Sequence, residues 1–148
     1  MTFETFEHKA DIGVRGKGKN TEEAFQECAK AMFGVEVSLK KVKAMKKVKI
    51  QCSAQNNEEL LVEWLNALLA QSSIKEMMFS DFKVRIDEGK KAGLKLSGWA
   101  VGEKFDEKKH QPKLEIKAAT YSQVRVFEDK GKGKDKSKRF IAQCIVDV

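Results

Sequence analysis

Residues 56–71 read NNEELLVEWLNALLAQ, and this stretch decides the fold. Leu60, Leu61, Trp64, Leu65, Leu68 and Leu69 recur at helical spacing along one broad apolar stripe. Asn56 followed by Glu58 and Glu59 supplies a capping-box pattern at its start. The spacing predicts an amphipathic helix that forms the main ridge of the core, with Trp64 as its anchor among leucines.

Outward from that helix the pattern changes period. Upstream, Val48, Ile50 and Cys52 alternate with lysines, which predicts a strand over 42–52 with a wet outer face. Downstream, Phe79, Phe82, Val84 and Ile86 predict a strand, 87–93 a turn, and 94–101 a second strand carrying Trp99. Residues 2–14 read as two short strands around a turn at 9–11, and the glycines Gly13, Gly16 and Gly18 read as part of a further turn. Asn20 or Thr21 then caps a second helix through Phe25, Cys28, Ala29, Met32 and Phe33, stopped by Gly34. After a polar connector holding the only proline, Pro112, residues 114–121 and 124–127 read as one long or bulged strand, and 140–148 as a last one. About two helices against about seven strands make an α+β fold, with helices packed on mostly antiparallel sheet. A length of 148 residues fits a single domain over 1–148.

Composition removes several function classes. No apolar run is long enough to cross a bilayer, and the N-terminal residues lack the basic and apolar regions of a secretory signal, so the expected compartment is the cytoplasm, with no membrane partner. Cys28, Cys52 and Cys144 are an odd number at long spacings, expected to pack as small hydrophobes rather than to form a disulfide or zinc framework. No P-loop, serine-hydrolase or zinc-hydrolase pattern is present, and only His8 and His110 are available for histidine acid–base work.

The net charge of +7 is unevenly placed. Residues 40–49 contribute +6 and residues 130–139 (KGKGKDKSKR) contribute +5, leaving a mildly acidic remainder of −4. Such strips suit phosphate neutralisation, which makes Lys130, Lys132, Lys134, Lys136, Lys138 and Arg139 candidate nucleic-acid contacts. Neither strip is interleaved with aromatic residues, so the ordinary reading is a solvated strand face and a lysine-studded loop. Asp11, at a strand–turn junction beside His8, and Asp147, after the apolar Ile145-Val146, could gather a hard cation together with a chain-end oxygen. The competing reading has Asp11 forming a turn and Asp147 frayed into solvent. Lys117 interrupts the apolar run between Ile116 and Ala118 and reads, on its own, as a lysine on the wet side of a strand.

Six segments taken together resemble the archease family. They are 6–13 (FEHKADIG), the helix opening 21–25 (TEEAF), the helix 60–69 (LLVEWLNALL), Gly102-Glu103-x-Phe105-Asp106 with His110, 115–121 (EIKAATY), and the ending 145–148 (IVDV). The order and separations match from the first strand to the last residue. The resemblance implies an accessory activator of an RtcB-type RNA ligase of tRNA splicing, not itself an enzyme. Such a protein promotes guanylylation of the ligase by GTP, supports multiple turnovers and widens the nucleotides accepted. It further implies a divalent metal, calcium being the ion associated with the family, held by Asp11, Asp147 and a backbone or carboxylate oxygen of Val148. Lys117 corresponds to the family's activating lysine. One departure is Lys9, which stands where the family usually has Thr and puts a cation beside Asp11. The alternative is an RNA-binding adaptor or chaperone-like module that holds tRNA on its two lysine strips. A metal-dependent hydrolase on Asp11 and Asp147 lacks a nameable base. Oligomeric state is left open.

Overall fold

The computed structural model describes residues 1–8, 11–89, 93–130 and 138–148. In chain order it holds β1 (Thr2–His8), β2 (Asp11–Gly18), α1 (Thr21–Glu36), a 3-10 turn (Leu39–Lys41), β3 (Lys46–Ala54) and α2 (Asn57–Lys75). There follow β4 (Met77–Glu88), β5 (Leu94–Lys104), a one-turn helix α3 (Glu107–His110), β6 (Ala118–Ala119), β7 (Arg125–Lys130) and β8 (Lys138–Asp147). The α+β class with antiparallel strands is as expected, and the strands divide into two sheets. One runs β1-β2-β8-β6, with β7 also paired to β8; the other runs β3-β5-β4.

Both long helices start where local chemistry requires. Asn20 and Asn56 sit in extended conformation, and each side-chain oxygen accepts an N–H three residues on, from Glu23 at 2.8 Å and Glu59 at 2.9 Å. Glu23 and Glu59 reach back to the N–H groups of Lys19 and Gln55, one residue before each cap, in a variant of the capping box. Gly34 does not stop α1. The helix runs on to Glu36 and closes when the Val37 N–H donates to the Phe33 carbonyl, because burial of Phe33 and Val37 outweighs the roughly 1 kcal/mol cost of an interior glycine.

The helices lie between the sheets. α1 packs on β2 and β8 on one side and β4 on the other, while α2 packs on β3, β4 and β5 and also touches β6 and β7. Accordingly α1 is covered nearly all round, with Phe25, Cys28, Met32 and Phe33 fully buried. Phe33, Phe79, Phe82 and Trp64 form the aromatic centre, and the Trp64 Nε1–H donates to the Phe25 carbonyl at 3.1 Å. Gly16 and Gly18 belong to β2 rather than to a turn. At Gly16 a Cβ would collide with the Ala24 carbonyl and the Cys28 amide, so the missing side chain is what lets α1 rest directly on the strand.

The expected strand over 114–121 is reduced to two residues. Its N–H groups are claimed elsewhere: Lys113 donates to the Glu36 carbonyl, Ile116 to the Glu36 carboxylate and Lys117 to the Asp147 carbonyl. A left-handed Gln123 then breaks the line before β7.

Candidate functional site

Register in the five-stranded sheet places the sequence-derived residues. His8 faces Asp11, Ile12 faces Val146, and Asp147 faces Ala118. Asp11 and Asp147 are each the next residue beyond the Ile12–Val146 pair, so they stand opposite one another on adjacent strands. Side chains directly across a ladder share a face. His8, Asp11 and Asp147 therefore form one row, on the face turned away from the helices; Gly16, of the alternate set with the fully buried Val14 and Cys144, lies against the α1 backbone. Val148 follows Asp147, half-buried against the edge of the core.

Lys117 joins the same end. Its N–H donates to the Asp147 carbonyl at 2.8 Å, and its side chain is exposed. β6 is fixed from behind by a residue the sequence did not single out: Asn66 of α2 accepts from the Ala119 N–H at 2.8 Å and donates to the Ala119 carbonyl at 3.1 Å. Nothing in the helical pattern marks Asn66, since a polar residue beside an apolar stripe is ordinary.

The donor set is suited to a hard cation. Two carboxylates and an oxygen of Val148 are the oxygen ligands that calcium or magnesium takes, leaving further positions for water or for another molecule. Beside them, His8 Nδ1 is a buried nitrogen without a hydrogen bond among the described residues, a costly state that an additional polar group at this row would relieve. Among the described residues no group of three or more His, Cys, Asp or Glu side chains is placed to hold a metal. Lys9 lies outside the described residues.

Two other polar knots escaped the sequence. Glu36, buried at the end of α1, floors a cleft of about 660 Å³ bounded by Leu69, Met77, Phe105, Leu114 and Ile116. Burial pushes its carboxyl up to about 7, helped by the charge of Glu115 and opposed by the Ile116 N–H. Glu103 goes the other way: the Lys109 ammonium, the Lys43 N–H and His110 hold it down to about 2. This knot pins the fully buried His110 and the connector after β5. The three cysteines are free, and burial raises the thiols of Cys28 and Cys52; for Cys28 the neighbouring Cys144 is the larger cause. Neither is poised as a nucleophile.

The described ends of the basic tip lie away from the acidic row. Lys130 and Lys138 pair at the far end of the β7–β8 hairpin, with Arg139 next to them, and Lys132, Lys134 and Lys136 lie outside the described residues. Nine strand steps separate Lys138 from Asp147, about 30 Å at some 3.4 Å per residue.

Fold and site together define a class: small α+β proteins in which two antiparallel sheets enclose a helix pair and an acidic row sits where the second and last strands meet. Residues 3–148 match the Archease protein family (MTH1598/TM1083), and the chain belongs to that family. It is 40% identical over 146 residues to the protein archease of Pyrococcus furiosus, covering 99% of this chain and 98% of the relative. The Methanopyrus kandleri protein archease is 33% identical over the full length of both. The solution structure of Methanobacterium thermoautotrophicum protein 1598 superposes with a TM-score of 0.81 at 34% identity, covering 99% and 98% of the two chains. Among the described residues no helix is long and apolar enough to cross a membrane.

Proposed function

We propose that this protein is a non-enzymatic activator of an RtcB-type tRNA-splicing RNA ligase, promoting guanylylation of the ligase by GTP and its repeated turnover, with a wider choice of nucleotide. The observation that carries the reading is the meeting of Lys117, Asp11, Asp147 and Val148 at one sheet end in a chain of this family. The ligase performs the chemistry in the cytoplasm, and this chain lends it charge and position.

Asp11, Asp147 and Val148 would hold a divalent cation, calcium being the ion that the family resemblance implies. When bound, the ion supplies positive charge at a site where a triphosphate has to be aligned. Lys117 projects from the same end on a backbone tied to Asp147, which fixes where its side chain starts relative to the acidic row. Phosphoryl-type transfer depends on such positioning and charge compensation. The sheet end is accordingly the part that abuts the ligase's nucleotide pocket.

The test is transfer of labelled GMP from GTP to the cognate ligase over repeated turnovers, with and without this protein. Wild type should accelerate the transfer, while folded Lys117→Ala and Asp147→Asn variants should not. Equal stimulation by both variants would remove the site from the mechanism, and no stimulation of a competent ligase by wild type would remove the function.

A further inference from the structure

The outer face of the β3-β5-β4 sheet is exposed except at its Glu103 end, where α3 covers it. α1 and α2 cover its other side through Val48, Ile50, Phe82, Val84, Leu96 and Ala100, all buried. The alternate residues face outward, and register sets what they make. Trp99 on the central strand lies directly between Lys49 on β3 and Lys83 on β4. Lys47 reaches over the indole, its Nζ 4.6 Å from the ring centroid. Arg85 follows one step further along β4, opposite Ser97, and Lys95 lies a step beyond that on β5, opposite Asp87.

Five cations thus share the face of one half-exposed indole, against three carboxylates. Asp87 is engaged by Arg85 at 3.2 Å, and Asp81 stands 3.8 Å from the Lys30 ammonium. Glu103, at the end of the row, is only 12% exposed and already bound to Lys109. The aromatic interleaving absent from the 40–49 strip in sequence is supplied by a different strand. An open sheet face with a central aromatic and flanking cations offers a π-surface for an unstacked base and positive charge for the phosphates on either side of it. Lys47 covers the ring only through a weak cation–π contact, so a base can displace it and free the ammonium for phosphate.

We propose that this face is a contact surface for single-stranded RNA, with Trp99 as the stacking platform and Lys49 and Lys83 as phosphate contacts on its two sides. The choice of RNA rests on the ligase reading above; the need for a polyanion with free base faces rests on the sheet alone. The surface lies on the opposite side of the helix layer from the Asp11–Asp147 row, so both can be occupied together.

The experiment uses the full chain without ligase. Trp64 is fully buried and hydrogen-bonded, so quenching of intrinsic fluorescence reports on Trp99. Titration with an oligouridylate of about twelve nucleotides at about 50 mM salt should quench the emission, with affinity falling steeply by about 200 mM. Trp99→Phe should abolish the quench. Trp99→Ala, checked for folding by circular dichroism, should weaken binding about tenfold, the loss of one stacked base. A Lys49→Glu, Lys83→Glu double variant, altered only at exposed positions, should weaken it at least as much, and an RNA duplex should bind less well than the single strand.

Absence of quenching at low salt overturns the proposal. So does binding that survives the double variant but is lost when Lys130, Lys132, Lys134 and Lys136 are changed to Ala, which would give RNA to the tip instead. If the double variant binds RNA normally but fails to stimulate the ligase, the face is a protein interface and the proposal is wrong. If RNA binding is lost while guanylylation is still stimulated, the RNA face stands and the two activities are separate.

Discussion

Asn66 closes two hydrogen bonds on Ala119 alone, accepting from its N–H at 2.8 Å and donating to its carbonyl at 3.1 Å. A helix amide thereby takes the place of a neighbouring strand on one side of β6, while Asp147 and Val146 pair on the other. The strand carrying Lys117 is gripped from both sides. Asn66→Asp retains the acceptor but sets an oxygen against the Ala119 carbonyl. It should destabilise the fold by about 2 kcal/mol, and Asn66→Ala by about 1–3, in urea unfolding. Because the acidic row remains in the sheet, the Asp variant should still bind cation, so calorimetry separates positioning of Lys117 from ligation.

Asp11 and Asp147 face each other without an intervening cationic side chain among the described residues, and like charges opposed across a ladder are unfavourable. In chelator, Asp147→Asn should therefore be at least as thermostable as wild type. In calcium the order should reverse, because wild type gains about 2.7 kcal/mol at a hundredfold excess over its dissociation constant and the variant does not. Thermal melts of both proteins with and without calcium check the crossover.

Glu36 predicts a pH dependence with a definite sign. Its folded carboxyl titrates near 7 instead of 4.5, so between these values the native state holds a proton that the unfolded chain has lost. Its contribution is therefore intact below about pH 4.5 and is lost as pH rises through 7. The expected cost above that point is on the order of 3 kcal/mol, at about 1.4 per tenfold change in proton affinity. Glu36→Gln keeps an acceptor for the Ile116 N–H and carries no charge to desolvate. Urea titrations at pH 5 and pH 8 should show it gaining on wild type at the higher pH.

Gly16→Ala tests the close approach of α1 to β2. Its Cβ would meet the Ala24 carbonyl and the Cys28 amide, both backbone atoms of a helix buried on several sides. Overpacking of this kind costs about 1–3 kcal/mol, and here there is no flexible side chain to yield. A fall in the denaturation midpoint of that size is expected; Gly34→Ala, where the nearest atom is a Phe3 ring carbon at 3.8 Å, should be neutral or stabilising.

Elements made by local rules were legible in the sequence. Both helix starts, the leucine stripe and the alternating strands β4 and β5 follow from capping and period and are present, while β3 begins at Lys46 rather than Val42, after the 3-10 turn. Residues 114–117 are not strand as their pattern predicts because the partners of the Ile116 and Lys117 N–H groups, Glu36 and Asp147, are remote in sequence. The Gly16 approach was missed for a related reason: a glycine in a strand and a glycine in a turn look alike until the covering helix is placed. Asp11, Asp147, Val148 and Lys117 were legible through family resemblance, since no spacing rule joins residues at opposite ends of a chain. The pairing Ile12–Val146 makes the acids neighbours, and the pairing Lys49–Trp99–Lys83 in the same way hid the basic face.

β8 occupies the middle of its sheet, between β2 on one flank and β6 and β7 on the other. The strand furthest along the sequence is thus the one on which the others depend. During synthesis the β1–β2 hairpin emerges early with one edge of β2 unpaired, and it stays so until residues beyond 140 have cleared the ribosome. Contacts of such long range make for slow folding and prolonged exposure of a sticky edge. Asp11 waits through that whole interval for Asp147, so a chain that halts short of its final strand carries neither a finished sheet nor half of its acidic row.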